Sequence, residues 1–134
     1  MNEQDKLLLL EDLCARLPYG VKCKIEKDWF YDEIKPYDSI FNPIILERLL
    51  SQKDTDYCVK PYLRQMPNMT EKEMSELRQW GCLCMTPDGC VEDIGVYGAI
   101  HSIPVIDWLN AHHFDYRGLI EKGLALAAPE GMYN

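Results

Sequence analysis

The sequence predicts a small α+β fold: one domain spanning residues 1–134, with a short antiparallel sheet packed against about four or five helices. Three observations carry this. Helix start and stop signals recur along the chain, a clear period-two segment lies near the N-terminus, and no repeat, low-complexity tract or Pro/Gly/Ser linker divides the sequence. At 134 residues the length suits a single hydrophobic core. Hydrophobic residues at 47% and charged residues at 27% are globular values, which excludes wholesale disorder.

The first element is a helix over residues 3–17. Leu7, Leu10, Cys14 and Leu17 fall at helical spacing, Glu11, Asp12 and Arg16 occupy other positions, and Pro18 with Gly20 ends the run. Val21, Cys23 and Ile25 then alternate with Lys22, Lys24 and Glu26, the period of a strand with one buried face. From Asp28 to Phe41 the aromatic and β-branched residues favour extended structure, while Pro36 keeps the segment out of a central strand and places it at an edge. Asn42-Pro43 is a helix start, an N-cap residue before proline at the first helical position. The predicted helix runs to about 51, and Ile44, Ile45, Leu46, Leu49 and Leu50 give it a nearly all-apolar, buried character.

Residues 56–63 read as extended, since Pro61 drives Lys60 away from the helical region. Thr70-x-x-Glu73 is a capping box, with Met69 and Met74 as its hydrophobic staple, and it opens a helix that runs to Trp80 and stops at Gly81. Two strands, 82–85 and 91–100, form a hairpin about Pro87-Asp88-Gly89. Ser102 caps a helix through Ile106, Trp108 and Leu109. Asp115 caps another to Lys122, where Gly123 supplies a left-handed C-cap, and Leu124 with Leu126 form a last short strand.

Charge is uneven. Residues 1–66 hold 12 acids against 10 bases and residues 67–134 hold 10 acids against 4 bases, within a total of −8. An acidic surface disfavours direct nucleic-acid and anionic-membrane binding and favours basic partners. No apolar run approaches the ~20 residues of a membrane helix, and the N-terminus lacks a basic secretory start, so a cytoplasmic location is expected. In that setting the six cysteines (14, 23, 58, 82, 84, 90) are expected as thiols.

Two constellations have chemical potential. Cys82, Cys84 and Cys90 with His101 could surround a zinc ion from a hairpin, because residues two apart on a strand share a face. The spacing departs from Cys-x2-Cys knuckles, so buried thiols and no cofactor are the expectation, with a zinc-stabilised regulatory module as an alternative. His112, His113, Asp115 and Arg117 combine a general base, an orienting carboxylate and an anion holder, the residue types of a small hydrolase or transferase. Neighbours on a helix diverge by about 100°, so the two imidazoles cannot share a ligand there. Placement in the last turn of one helix, near its exposed carbonyls, explains them without catalysis. Nucleotide-binding glycine motifs, Gly-x-Ser-x-Gly and His-Glu-x-x-His are missing.

Consecutive Trp29, Phe30 and Tyr31 on an extended segment cannot all face the core, and together with Tyr37 they are candidates for a binding surface. An edge strand near Trp29–Tyr37 also makes a homo-oligomer an open expectation.

Three blocks, LCARLPYGVKC (13–23), KPYLRQMPNMTEKE (60–73) and Trp108–Tyr133 with its HFDYRGLIEKGLAL phrase, resemble a group of small proteins of phages, prophages and other mobile elements of gut anaerobic bacteria. The resemblance implies a genomic setting and supplies no activity or catalytic residue. The middle departs from the group: its members read as successive strands there, whereas 42–50 reads as a helix, and the 82–98 hairpin is also different. Together these readings predict a small phage or mobile-element protein that binds a host or defence protein without catalysis, through the acidic C-terminal half and the insert Trp29–Leu50.

Overall fold

A computed structural model describes residues 2–27, 36–51, 58–79 and 103–133 of the chain. The predicted hairpin of 82–100, Gly81, Ser102 and the Trp29-Phe30-Tyr31 triplet lie outside the described residues. The fold is α+β, with four α-helices among the described residues and a four-stranded mixed sheet. Packing gathers these residues into two compact units: 1–63 with 117–127, and 64–116 with 128–134.

The first unit begins with α1 (Glu3–Arg16), whose N-terminus is capped by Asn2: its Oδ1 accepts the Asp5 N–H at 2.7 Å. A short 3-10 turn over Leu17–Tyr19 and left-handed Gly20 (φ 67°) end it where Pro18 and Gly20 predict. The buried face differs from the expected one. Leu9 and Leu13 enter the core together with Asp12 and Arg16, while Leu7 and Cys14 are exposed. A run of four leucines offers the core more than one helical face. The face chosen is the one whose two ions satisfy each other: Arg16 donates from Nε to Asp12 Oδ2 at 2.8 Å and from Nη2 to Asp12 Oδ1 at 3.0 Å, both side chains being 0% exposed.

Strand β1 (Lys22–Lys27) buries Cys23 and Ile25, with Val21 before them, as the alternation predicts. It pairs antiparallel with β2 (Tyr37–Ile40) on one side and β3 (Cys58–Leu63) on the other, with a register shift between Ile25 and Lys27. β4 (Leu126–Ala127) adds parallel to β3, opposite Tyr62 and Leu63, so the sheet order is β2-β1-β3-β4. The edge position expected for the segment around Pro36 is that of β2. Pro61 is tolerated inside β3 for a local reason. Phe41 donates to the Val21 carbonyl, so odd-numbered residues of β1 turn their backbone toward β2, and Pro61, opposite Cys23, is asked for no N–H bond to β1.

Helix α2 (Pro43–Ser51) starts as predicted: Asn42 Oδ1 accepts both the Ile44 and the Ile45 N–H at 3.0 Å. Its burial is narrower than the sequence suggests. Ile45 and Leu49 join Leu9, Leu13, Val21, Ile25, Phe41, Val59 and Leu63 in the core, whereas Ile44 and Leu50 are 62% and 59% exposed. The cause is geometric. A nine-residue helix lying on one face of a sheet turns only one stripe toward it, and residues one position away from that stripe are rotated outward by about 100°.

The predicted helix over 115–122 is a set of turns. Gly118 (φ 73°) precedes a single turn closed by two bonds, Leu124 N–H to the Leu119 carbonyl at 2.9 Å and Gly123 N–H to the Ile120 carbonyl at 3.0 Å, with Gly123 left-handed at φ 76°. Gly123 is left-handed as predicted but closes a turn rather than a helix, and Leu119, Leu124 and Ala125 fill the core beside it.

In the second unit, α3 (Glu71–Gln79) carries the capping box: Thr70 N–H and hydroxyl both donate to Glu73 Oε1 at 3.0 Å, and Glu73 N–H donates to Thr70 Oγ1 at 3.2 Å. Met69 is buried and Met74 packs beside it, the staple expected. With Leu77 they meet Val105 and Leu109 of α4 (Ile103–Ala111) and Phe114 in this unit's own core.

Candidate functional site

The adjacent histidines sit at the end of α4. Phe114 N–H reaches the Leu109 carbonyl at 3.0 Å and His113 N–H the Asn110 carbonyl at 3.1 Å, with His113 left-handed at φ 63°. This is a helix stop with histidine in the place glycine commonly takes, and Phe114 packing near Leu109 supplies its hydrophobic contact. The two rings then part. His112 stacks on Trp108 at 3.9 Å between centroids and donates from Nδ1 to the Trp108 carbonyl at 2.9 Å, while His113 stacks on Tyr133 at 3.9 Å.

Arg64 ties this helix stop to α3. Its backbone accepts Asp115 N–H at 2.9 Å and donates to the His113 carbonyl at 2.7 Å, forming an isolated parallel bridge opposite Phe114. Its guanidinium forms a two-pronged pair with Glu73 at 2.7 Å on each arm and lies 4.2 Å from the Phe114 ring centroid. Burial alone would raise the Glu73 carboxyl; the bonds from Arg64 and from the Thr70 N–H and hydroxyl outweigh it and hold the group at about 2 instead of 4.5. Trp108 Nε1 donates to Glu76 at 3.1 Å, a second link between the same helices.

A cleft of about 510 Å³ opens beside this cluster, lined by residues that include Arg64, Asn68, Thr70, Glu130 and Tyr133. Two of its polar groups, the Arg64 guanidinium and the Thr70 hydroxyl, are bonded to Glu73. The cluster is thus built as a brace. Of the predicted catalytic set, His112, His113 and Asp115 belong to this unit, and Arg117 belongs to the other, where it donates to Asp12 at 3.1 Å and stands 4.0 Å from Glu11.

Of the predicted metal ligands, Cys82, Cys84, Cys90 and His101 all lie outside the described residues. Among the described residues no three His, Cys, Asp or Glu side chains are grouped to hold a metal ion. Cys14 and Cys23 are free thiols; burial first, and then the Asp38 charge, push the Cys23 thiol up to about 12, so it packs as a small hydrophobe. No helix among the described residues is long and apolar enough to cross a membrane.

Of the predicted binding aromatics, Tyr37 is described, 39% exposed on the edge strand β2. Ile40, on the opposite face of β2, is 54% exposed, and Ile44 and Leu50 of α2, which sequence reasoning assigned to the interior, are exposed on the next element. A shallow groove of about 380 Å³ follows α2, lined by Pro43, Leu46, Glu47 and Leu50 at positions i, i+3, i+4 and i+7. The signal available in the sequence was excess: a short helix with apolar residues on nearly every side cannot bury all of them against one sheet.

Comparison with known proteins gives no match among family models, curated proteins or solved structures.

Proposed function

We propose that this protein acts by binding another protein, and that its contact surface is the consecutive pair β2 and α2. The observation that carries the reading is the exposure of Ile44 and Leu50 on α2, with Leu50 lining an open apolar groove, while Tyr37 and Ile40 are exposed on opposite faces of the preceding edge strand. Single exposed leucines are ordinary, whereas a group drawn from adjacent elements is the mark of an interaction site. The histidines fit the same reading, because each imidazole lies against an aromatic ring at a helix stop. The setting we propose with it is a phage or mobile-element protein whose partner is a host or defence protein; the sequence blocks 13–23, 60–73 and 108–133 support that setting.

The test is a doubly substituted chain, Ile44→Asp with Leu50→Asp, compared with the unaltered protein in affinity capture from host lysate. Both positions are exposed, so folding stability should change by no more than about 0.5 kcal/mol. Capture of a specific protein by the unaltered chain and its loss in the variant are expected. Equal capture by both chains would place the contact elsewhere.

A further inference from the structure

The outer face of the sheet, opposite the core, carries a chemistry that the protein's net charge conceals. Because Cys23, Ile25, Val59 and Leu63 are buried, Lys22, Lys24, Glu26, Lys60 and Tyr62 turn the other way, and the strand register sets them in rows. One row runs Ile40, Lys22, Tyr62, Leu126; the next runs Asp38, Lys24, Lys60. Three lysines thus gather on one half-exposed face of a chain whose charge is −8, against two carboxylates, Asp38 and Glu26.

Of those carboxylates, Asp38 is engaged by Tyr62, whose hydroxyl donates to its Oδ1 at 2.8 Å. Burial and then the bonded Asp38 push that phenol up to about 12, so it remains a donor across the physiological range. Lys24 and Lys60 are direct cross-strand partners. Like charges directly opposite one another destabilise a sheet, so the Lys24–Lys60 pair costs stability that Asp38, opposite Lys24 on β2, offsets only for Lys24. The same two ammonium groups become an asset when an anionic group lies between them.

We infer that this face receives an acidic polypeptide segment, whose carboxylates pair with Lys24 and Lys60 while its apolar side chains meet Ile40. The inference rests on the proposed protein-binding role and names the chemistry of the partner. A polypeptide is favoured over nucleic acid because the lysines adjoin Ile40, 54% exposed and directly opposite Lys22, and because the chain as a whole repels phosphate backbones.

The experiment uses the full chain and a fluorescein-labelled 12-residue peptide of alternating Leu and Glu, read by fluorescence anisotropy at low and high salt. The same peptide with Lys for Glu, and a 15-nucleotide oligothymidylate, serve as comparisons. Binding of the Leu-Glu peptide alone is expected, weakening with salt and falling by roughly tenfold in the Lys24→Glu, Lys60→Glu chain. Lys60→Gln should weaken binding while raising the thermal midpoint, because it relieves the like-charge pair and leaves Lys24 opposite Asp38. No purely structural role for Lys60 links those two changes. Absence of Leu-Glu binding, undiminished binding in the charge-reversed chain, or tighter binding of the oligothymidylate would each overturn the inference. So would a concentration-dependent dimer lost on charge reversal, which would assign the face to a second copy. If Ile44→Asp with Leu50→Asp abolishes binding and the lysine variants leave it intact, the acidic partner is refuted while the β2–α2 contact survives. If neither pair of substitutions has an effect, both fail.

Discussion

Replacing Glu73 with glutamine isolates a single charge interaction. Glutamine at this position keeps a capping box, since its side-chain oxygen can still accept the Thr70 N–H, but it cannot form an ion pair with Arg64. Holding the carboxyl at about 2 instead of 4.5 corresponds to at most about 3.4 kcal/mol of stability. Arg64 and Glu73 keep 22% and 13% side-chain exposure, so water weakens the pair and about 2 kcal/mol is the working figure. The sign follows from a folded-state value below the unfolded one. The contribution is fully present above about pH 4.5 and is lost as pH falls toward 2. Urea unfolding of both chains at pH 7, 5, 4 and 3 reads it directly. The unaltered protein should lead by about 2 kcal/mol at pH 7, and that lead should shrink by more than half by pH 3. A gap that stays constant with pH would show that the loss is one of packing, and would refute the electrostatic account of how α3 is tied to the end of α4.

Other substitutions probe the two units separately. Asp12→Asn leaves Arg16 buried without its counter-charge, and unfolding free energy should drop by about 3–5 kcal/mol, measured by denaturant titration. Gly123→Ala has open space around the added methyl group but must adopt φ 76°, so a cost of about 1 kcal/mol, seen as a lowered thermal midpoint, measures backbone strain alone. His113→Gly removes the same kind of strain at φ 63° but also the stack on Tyr133, each worth about 1 kcal/mol with opposite sign. Its stability should therefore stay near that of the unaltered chain, whereas His113→Ala, which keeps the strain and loses the stack, should be less stable by calorimetry.

Much of the local structure was legible before any coordinates. Asn42, Thr70 with Glu73, and Gly123 each satisfy orphan backbone groups within five residues of themselves, and such bonds depend on neighbours the sequence displays directly. The alternation of β1 was equally direct, because two faces with opposite polarity leave one orientation open. The end of α4 was read about two residues late, with both histidines inside its last turn instead of just past Ala111, since a histidine at left-handed φ has no distinctive sequence signature.

What the chain determined by itself, then, is where α1, α2 and α3 begin and which face of the most regularly patterned strand is apolar. Tertiary structure decided the rest. It selected the Leu9/Leu13 face of α1, buried Asp12 with Arg16 and brought in Arg117 from 105 residues away. It left Ile44 and Leu50 in solvent and set Lys24 against Lys60. Capping is a short-range bargain between adjacent peptide groups, whereas burial and charge pairing are set by whichever distant surface arrives, and no window of sequence contains that surface.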